Sequence, residues 1–275
     1  MAFTAEQTEF LIQFLHPERT LVWASALDAK VLAPLYGVDV RTYNAIRQQF
    51  ANRVWETAQE LLKDPAFAQR VDKLPFETGS VVVGLGDSIT DDYQSWLEIL
   101  SDVLKMRRRR HAIQVINAGV SGDTTSQIIT RFLDVVNLKP DWIIAMIGTN
   151  DARLHGQSPA KCVVSIEETG KNLAMLRSYA ARQTNARWVW ITPATCIPEK
   201  MPAHWWLGAG QIKWRNEDSA AVADLIRRQP GVCVDLQPIF GLPANPKLLM
   251  DDGLHPNLAG QKTIVKALVE RLAEG

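Results

Sequence analysis

Cysteine is the first scarcity: 275 residues carry only Cys162, Cys196 and Cys233. An odd number without any CxxC spacing excludes a disulfide framework and a cysteine-rich zinc site, and reduced thiols in a cytoplasm are the expectation. Net charge is missing too, because thirty Lys and Arg balance thirty Asp and Glu. A chain without basic excess lacks the electrostatic footprint of a dedicated nucleic-acid binder. The one cationic run, Arg107 to Arg110, follows the apolar-periodic residues Trp96, Leu100, Val103 and Leu104. The helix dipole favours cations there, so the run reads as a solvated helix end. No segment reaches the roughly 18 apolar residues of a membrane span. The opening MAFTAEQTEF has neither the basic n-region nor the apolar h-region of a secretory signal. The expectation is therefore a cytoplasmic protein with no membrane span and no nucleic-acid partner. HExxH and clustered His and Cys ligands are absent, so no metal is expected. Gly84-Leu85-Gly86 followed by Ile89 lacks the third glycine of a dinucleotide fingerprint, so no such cofactor is expected either. Internal repeats and low-complexity tracts are also lacking.

What is present is ordinary globular material, 47% apolar and 22% charged. Up to about residue 75 the pattern is helical. Thr4 and Gln7 can form a capping box ahead of Phe10, Leu11, Phe14 and Leu15, with Pro17 as a stop. Tyr43, Ile46, Phe50, Val54, Leu61 and Leu62 then recur at helical spacing, and Asp64-Pro65 reads as an N-cap with proline at N1. Residues 1–75 are thus expected to form a helical N-terminal extension and 76–275 a separate α/β domain. From Ser80 onward, short β-branched runs alternate with amphipathic stretches, the signature of βαβ units and a parallel sheet. Five strands are expected: Val81–Leu85, Ile113–Ile116, Trp142–Ile147, Trp188–Ile191 and Val232–Val234. Each is nearly all apolar, as strands covered on both faces should be. Pro193 to about Lys213 reads as one long irregular loop, equally a lid or binding segment or a surface loop pinned by buried tryptophans.

Ligands of open parallel sheets bind beyond the carboxyl ends of the strands. Four of the five ends carry polar residues of catalytic type: Gly86-Asp87-Ser88-Ile89-Thr90, Asn117 to Asp123, Gly148-Thr149-Asn150-Asp151, and Asp252-Gly253-Leu254-His255-Pro256. A serine hydroxyl becomes a useful nucleophile only beside a base, and the base needs a third group to orient it. Ser88, His255 and Asp252 can fill those roles. Acyl transfer also needs donors aimed at the developing oxyanion, for which the N–H groups of Ser88 and Gly122 and the amide of Asn150 are candidates. Read individually, Gly86-Asp87-Ser88 is equally a turn with a helix cap, Gly122-Asp123 a turn and a cap, and Asn150 a turn amide.

Taken together, the four stretches resemble the blocks of the SGNH, or GDSL-type, hydrolase family. GDSI matches the nucleophile block at Ser88, NAGVSGDTT the glycine block at Gly122, IGTND the asparagine block at Asn150, and DGLHP the last block with Asp252 and His255. The resemblance covers roughly residues 80 to 272 and leaves the helical amino-terminal region without an assignment. It implies a flavodoxin-like three-layer α/β/α fold and a serine ester hydrolase acting through an acyl-enzyme. Members of the family act on acetylated sugars, short aryl esters, thioesters and lysophospholipids; short-chain or acetyl esters are the expectation here because the sequence shows no apolar lid. The residue two after Ser88 is Thr90, where the G-x-S-x-G elbow needs glycine, which disfavours the classical α/β-hydrolase fold.

The same triad could instead pass the acyl group to an alcohol, and a non-catalytic carbohydrate- or acyl-binding module is a third reading. His155, just after the asparagine block, and Trp205 and Trp206 in the expected loop are candidate substrate-binding residues, with His204 beside them. His16 and His111 are expected to be structural or exposed. One sequence says nothing of oligomeric state.

Overall fold

The structure is a computed structural model that describes residues 3–21, 27–156 and 161–275. Five helices come first: α1 (Ala5–Phe14), α2 (Pro17–Thr20), α3 (Ala29–Leu35), α4 (Val40–Leu62) and α5 (Pro65–Asp72). Their starts follow from local chemistry. Thr4 and Gln7 form the capping box of α1, and the Asp64 side chain caps α5 with Pro65 in its first turn. Pro17 acts differently from the expected stop. α1 has already ended at Phe14, and Pro17 opens α2 as its first residue, where its missing N–H costs nothing.

The alternating part follows as β1 (Val81–Gly86), α6 (Ser88–Asp91), α7 (Trp96–Arg107), β2 (Gln114–Gly119), α8 (Thr125–Asn137), β3 (Trp142–Met146), β4 (Leu154–His155) and α9 (Ile166–Gln183). It continues with β5 (Arg187–Ile191), α10 (Trp205–Ala209), β6 (Ile212–Lys213), α11 (Asn216–Arg227), β7 (Val232–Val234), α12 (Gln237–Phe240) and α13 (Leu258–Ala273). Five parallel strands form one sheet in the order β2-β1-β3-β5-β7. This is the flavodoxin-like order, which reverses direction at β1 and β3.

Alternation along each strand builds the three layers, since successive side chains point to opposite faces. Val82, Ile144, Met146, Val189 and Ile191 pack with α7 and α13 residues such as Leu97, Leu100, Ile264 and Leu268. Val83, Leu85, Ile143, Ala145 and Trp190 pack on the other face with Ile128 and Phe132 of α8, Leu173 of α9 and Val222 of α11. The helices ahead of the sheet join the first of these cores. Val54, Ala58 and Leu61 of α4 and Phe67 and Val71 of α5 lie in it beside Leu97 and Ile264. A smaller core of Leu11, Ile12, Leu32, Tyr36, Tyr43 and Phe50 ties α1, α3 and α4 together.

Three expectations are corrected. β2 runs on through Asn117 and Ala118 to Gly119, so the glycine block begins inside the strand. Pro193–Lys213 is not one irregular loop: it holds a 3₁₀ segment at Pro198–Ala203, then α10, and β6, which pairs antiparallel with β4. Arg108 is no solvated helix end, because it is buried and donates to the carbonyls of Leu74 (2.8 Å) and Phe76 (2.6 Å). It thereby ties the connection between α5 and β1 to the end of α7, while Arg107 pairs with Asp72.

Candidate active site

The end of β1 delivers Ser88 as the first residue of α6, with Asp87 as N-cap accepting from the N–H of Ile89. Two close approaches press this turn against the sheet. A side chain at Gly86 would strike Thr90, and one at Gly119 would strike the backbone of Asp91, so β1 and β2 can each meet α6 this closely only because these positions lack a Cβ.

Across the sheet top, the loop before α13 brings His255 to Ser88, with its Nε2 at 2.8 Å from the Ser88 Oγ. The other ring nitrogen, Nδ1, lies 2.5 Å from Asp252 Oδ2. Asp252 Oδ1 meanwhile accepts from the backbone N–H groups of Leu254 (2.8 Å) and His255 (2.9 Å). One carboxylate therefore holds both the ring and the backbone that carries it. Gly253 between them sits at φ +72°, and a Cβ there would lie 2.4 Å from the carbonyl oxygen of Ile197.

Burial lowers the proton affinity of His255, but the charge of Asp252 and its hydrogen bond, with Asp87 and Asp92 beyond, more than offset it and hold the imidazole above its ordinary value. Burial pushes Asp252 the other way, yet the charge of His255 and the bonds it accepts hold its carboxyl below the usual range. Beneath the serine, burial raises Asp87 to about 6 despite the bond from Ile89 and the charge of His255. Asp92 is likewise raised by burial, to about 7, against bonds from the Gln94 N–H, Gln13 and Gln261.

Gly122 and Asn150 come from the ends of β2 and β3 and join Ser88 and His255 in lining one cavity of about 180 Å³. Gly122 is at φ +89°, a conformation that favours glycine. Asn150 donates one amide hydrogen to the Asp123 carbonyl (3.1 Å), which leaves its second for a ligand. A hydroxyl hydrogen-bonded to an imidazole, that imidazole held by a carboxylate, and an amide at the same cavity form a set able to attack a carbonyl and hold the resulting charge.

Much of the cavity wall comes from parts that sequence patterns did not flag. Phe10, Leu11, Phe14 and Leu15 of the amino-terminal region line it, with Ile212, Trp214 and Arg153. The ring of Phe14 lies 4.6 Å from that of His255. Trp214 is buried and donates to the Thr149 carbonyl at 2.7 Å, bracing the loop that carries Asn150. Trp206 lines the cavity. Trp205 lies instead in an adjoining open groove of about 630 Å³, with His204, Glu6, Glu9 and Asp252, where Ser88 does not reach. His155 is exposed on β4 and lines neither space.

The amino-terminal helices are bolted to the site through Asp91. This buried carboxylate accepts from His16 Nδ1 (2.6 Å), from Arg19, and from the N–H and hydroxyl of Ser121 (both 2.9 Å). The Ser121 hydroxyl also meets the Phe14 carbonyl. The residue before Gly122 is thus tied at once to α6, α1 and α2. His16 is structural, as expected, but it is buried here rather than remote from the chemistry.

A family model described as the GDSL-like Lipase/Acylhydrolase family matches residues 85–263. The arylesterase of Vibrio mimicus is 26% identical over 210 residues, 69% of this chain and 86% of that protein. Thioesterase 1/protease 1/lysophospholipase L1 of Escherichia coli strain K12 is 25% identical over 196 residues, 68% of this chain and 81% of that one. Among solved structures, an alpha/beta hydrolase enzyme from the metagenome of Lake Arreo, Spain, superposes with a TM-score of 0.56 at 25% identity, covering 72% of this chain and 96% of that chain. An acetylxylan esterase from Geobacillus stearothermophilus shares the fold with a TM-score of 0.55 at 21% identity, over 72% of this chain and 95% of its own.

Proposed function

The chain belongs to the GDSL-like lipase/acylhydrolase family and is a carboxylic ester hydrolase, and from that premise we propose that Ser88, His255 and Asp252 form its catalytic triad on short-chain acyl esters. The observation that carries this reading is the continuous chain of bonds from Ser88 Oγ through His255 to Asp252. His255 Nε2 takes the hydroxyl proton as Ser88 attacks the ester carbonyl. The N–H groups of Ser88 and Gly122 and the free amide hydrogen of Asn150 receive the oxyanion. His255 returns the proton to the departing alcohol, and water then repeats the sequence on the acyl-enzyme.

Acyl size is read from the cavity. Its volume of about 180 Å³ equals roughly six waters at about 30 Å³ each. Phe14, Leu207, Trp214 and Leu254 line it with apolar surface. Such a slot takes an acetyl to butyryl group and excludes a palmitoyl chain.

Hydrolysis of p-nitrophenyl esters from acetyl to palmitoyl, run with the wild type and Ser88→Ala, tests both parts. The expected result is a maximum at two to four carbons and a fall to the uncatalysed background in Ser88→Ala. Persistent turnover in that variant would sink the nucleophile assignment, and a maximum at long chains the size assignment.

A further inference from the structure

Among the described residues, Arg153 is the one Lys or Arg lining the cavity around Ser88. Its Nε is buried without a hydrogen-bond partner, and its Nη1 reaches Asn150 Oδ1 only at 3.5 Å. Asp151 accepts from Thr125 and Thr169, and Asp123 pairs with Arg131. Asp87 accepts from the N–H of Ile89 through Oδ1 and keeps a buried Oδ2 without a partner, so it acts on Arg153 through its charge and makes no hydrogen bond to it. The residues outside the described set include no Asp or Glu that could reach it. Burial draws the guanidinium below the usual arginine range, against the pull of Asp87 and Asp151. A partly desolvated guanidinium with five donors and one long bond is costly unless something else completes its shell. Among the described residues, the rest of the wall is apolar apart from Ser88, Ser121, Gly122, Asn150 and His255, none of which supplies a carboxylate to the guanidinium.

We propose that Arg153 is a specificity-determining residue that selects esters bearing a carboxylate on the arm that enters the cavity. The guanidinium presents a planar pair of donors that matches a carboxylate in two-point geometry. It adjoins Asn150, so the anion is held close to the site of attack. This assignment rests on Ser88 being the nucleophile of an ester hydrolase. Two substrate types satisfy it: a hemiester of a short dicarboxylic acid, with the charge on the acyl side, and an acylated hydroxy acid, with the charge on the alcohol side.

Acid release in a pH-stat distinguishes them, comparing monoethyl succinate with ethyl pentanoate and 3-acetoxypropanoate with butyl acetate. The wild type is expected to favour the charged member of one pair, and that pair identifies the side. In Arg153→Met the ratio of charged to neutral kcat/KM should fall roughly 10- to 100-fold, the worth of a charge-assisted hydrogen bond. The loss should lie mainly in KM, and Arg153→Lys should restore part of it. Any disturbance of Asn150 lowers both members of a pair and cancels in the ratio.

A wild type with no charge preference in either pair overturns the proposal, as does an unchanged ratio in Arg153→Met. The second outcome would leave Arg153 acting only on Asn150. A wild type that cleaves neither the charged nor the neutral esters, and is indistinguishable from Ser88→Ala, overturns the nucleophile assignment and this proposal with it.

Discussion

At His255 burial and charge compete, and the outcome sets the pH at which the base is available. Asp252, Asp87 and Asp92 together win over desolvation, so the imidazole binds its proton more tightly than a free histidine. A general base must be neutral, so activity is lost as pH falls through this raised value. The acid limb of kcat/KM should therefore sit above the ordinary histidine value of about 6.5. Asp252→Asn removes the largest raising influence while burial remains. It should move that limb downward and cut kcat by about ten-thousandfold, because the ring also loses its orienting partner. A limb at or below 6.5, unmoved by the substitution, would show that another group controls the base.

Residue-scale legibility follows the same logic. Ser88, Gly122, Asn150, Asp252 and His255 were readable because each sits in a short block at a strand or loop end. Phe14, Arg153 and Trp214 were not, because an apolar helix residue, a lone arginine and an interior tryptophan look ordinary until the chain folds around them.

At the scale of elements, α1 and α2 are held by a carboxylate on the turn that carries Ser88. Burial raises the proton affinity of Asp91, but the bond and charge of His16, with Arg19 and Ser121, hold its carboxyl below the usual range. The folded value is thus lower than the unfolded one. Its contribution to stability is present above the unfolded value of about 3.9 and is lost as pH falls through the lower folded value. Asp91→Asn leaves Arg19 without its charged partner except Glu98 at 3.7 Å. The cost should be about 3 kcal/mol at neutral pH, at the low end for a broken buried pair. Urea unfolding at pH 7 and at pH 3 checks this, since the gap between variant and wild type should narrow in acid.

Loosening this bolt should also widen the acyl range toward longer esters, because Phe14 no longer closes the slot firmly. An unchanged chain-length profile would mean that Phe14 stays seated without Asp91. The parallel sheet and the capping of α1 and α5 were legible from periodicity and cap residues. The ribbon of β4 with β6 was not, because two residues per strand, at Leu154–His155 and Ile212–Lys213, are too few for any alternation to register.

At the scale of the whole molecule, the question is whether residues 1–75 and 76–275 are separate units. The texture of the sequence changes near residue 75, but the packing does not divide there. Leu61 of α4 and Phe67 and Val71 of α5 share one core with Leu97, Leu100, Ile264 and Leu268. A chain cut at residue 76 would leave those partners facing water, and at about 25 cal/mol per Å² of apolar surface the loss is large against a typical stability of 5–15 kcal/mol. We therefore expect the full chain to unfold in a single transition, with tryptophan fluorescence, far-ultraviolet circular dichroism and loss of esterase activity coinciding.

Leu61→Ala lies far from Ser88 in sequence and outside its cavity, yet it should shift all three curves together by about 2–5 kcal/mol. Two resolved transitions, with activity following only one and Leu61→Ala moving only the other, would instead make the helices an independent unit. In that case the closing of the acyl slot by α1 would be an association between domains rather than part of one fold.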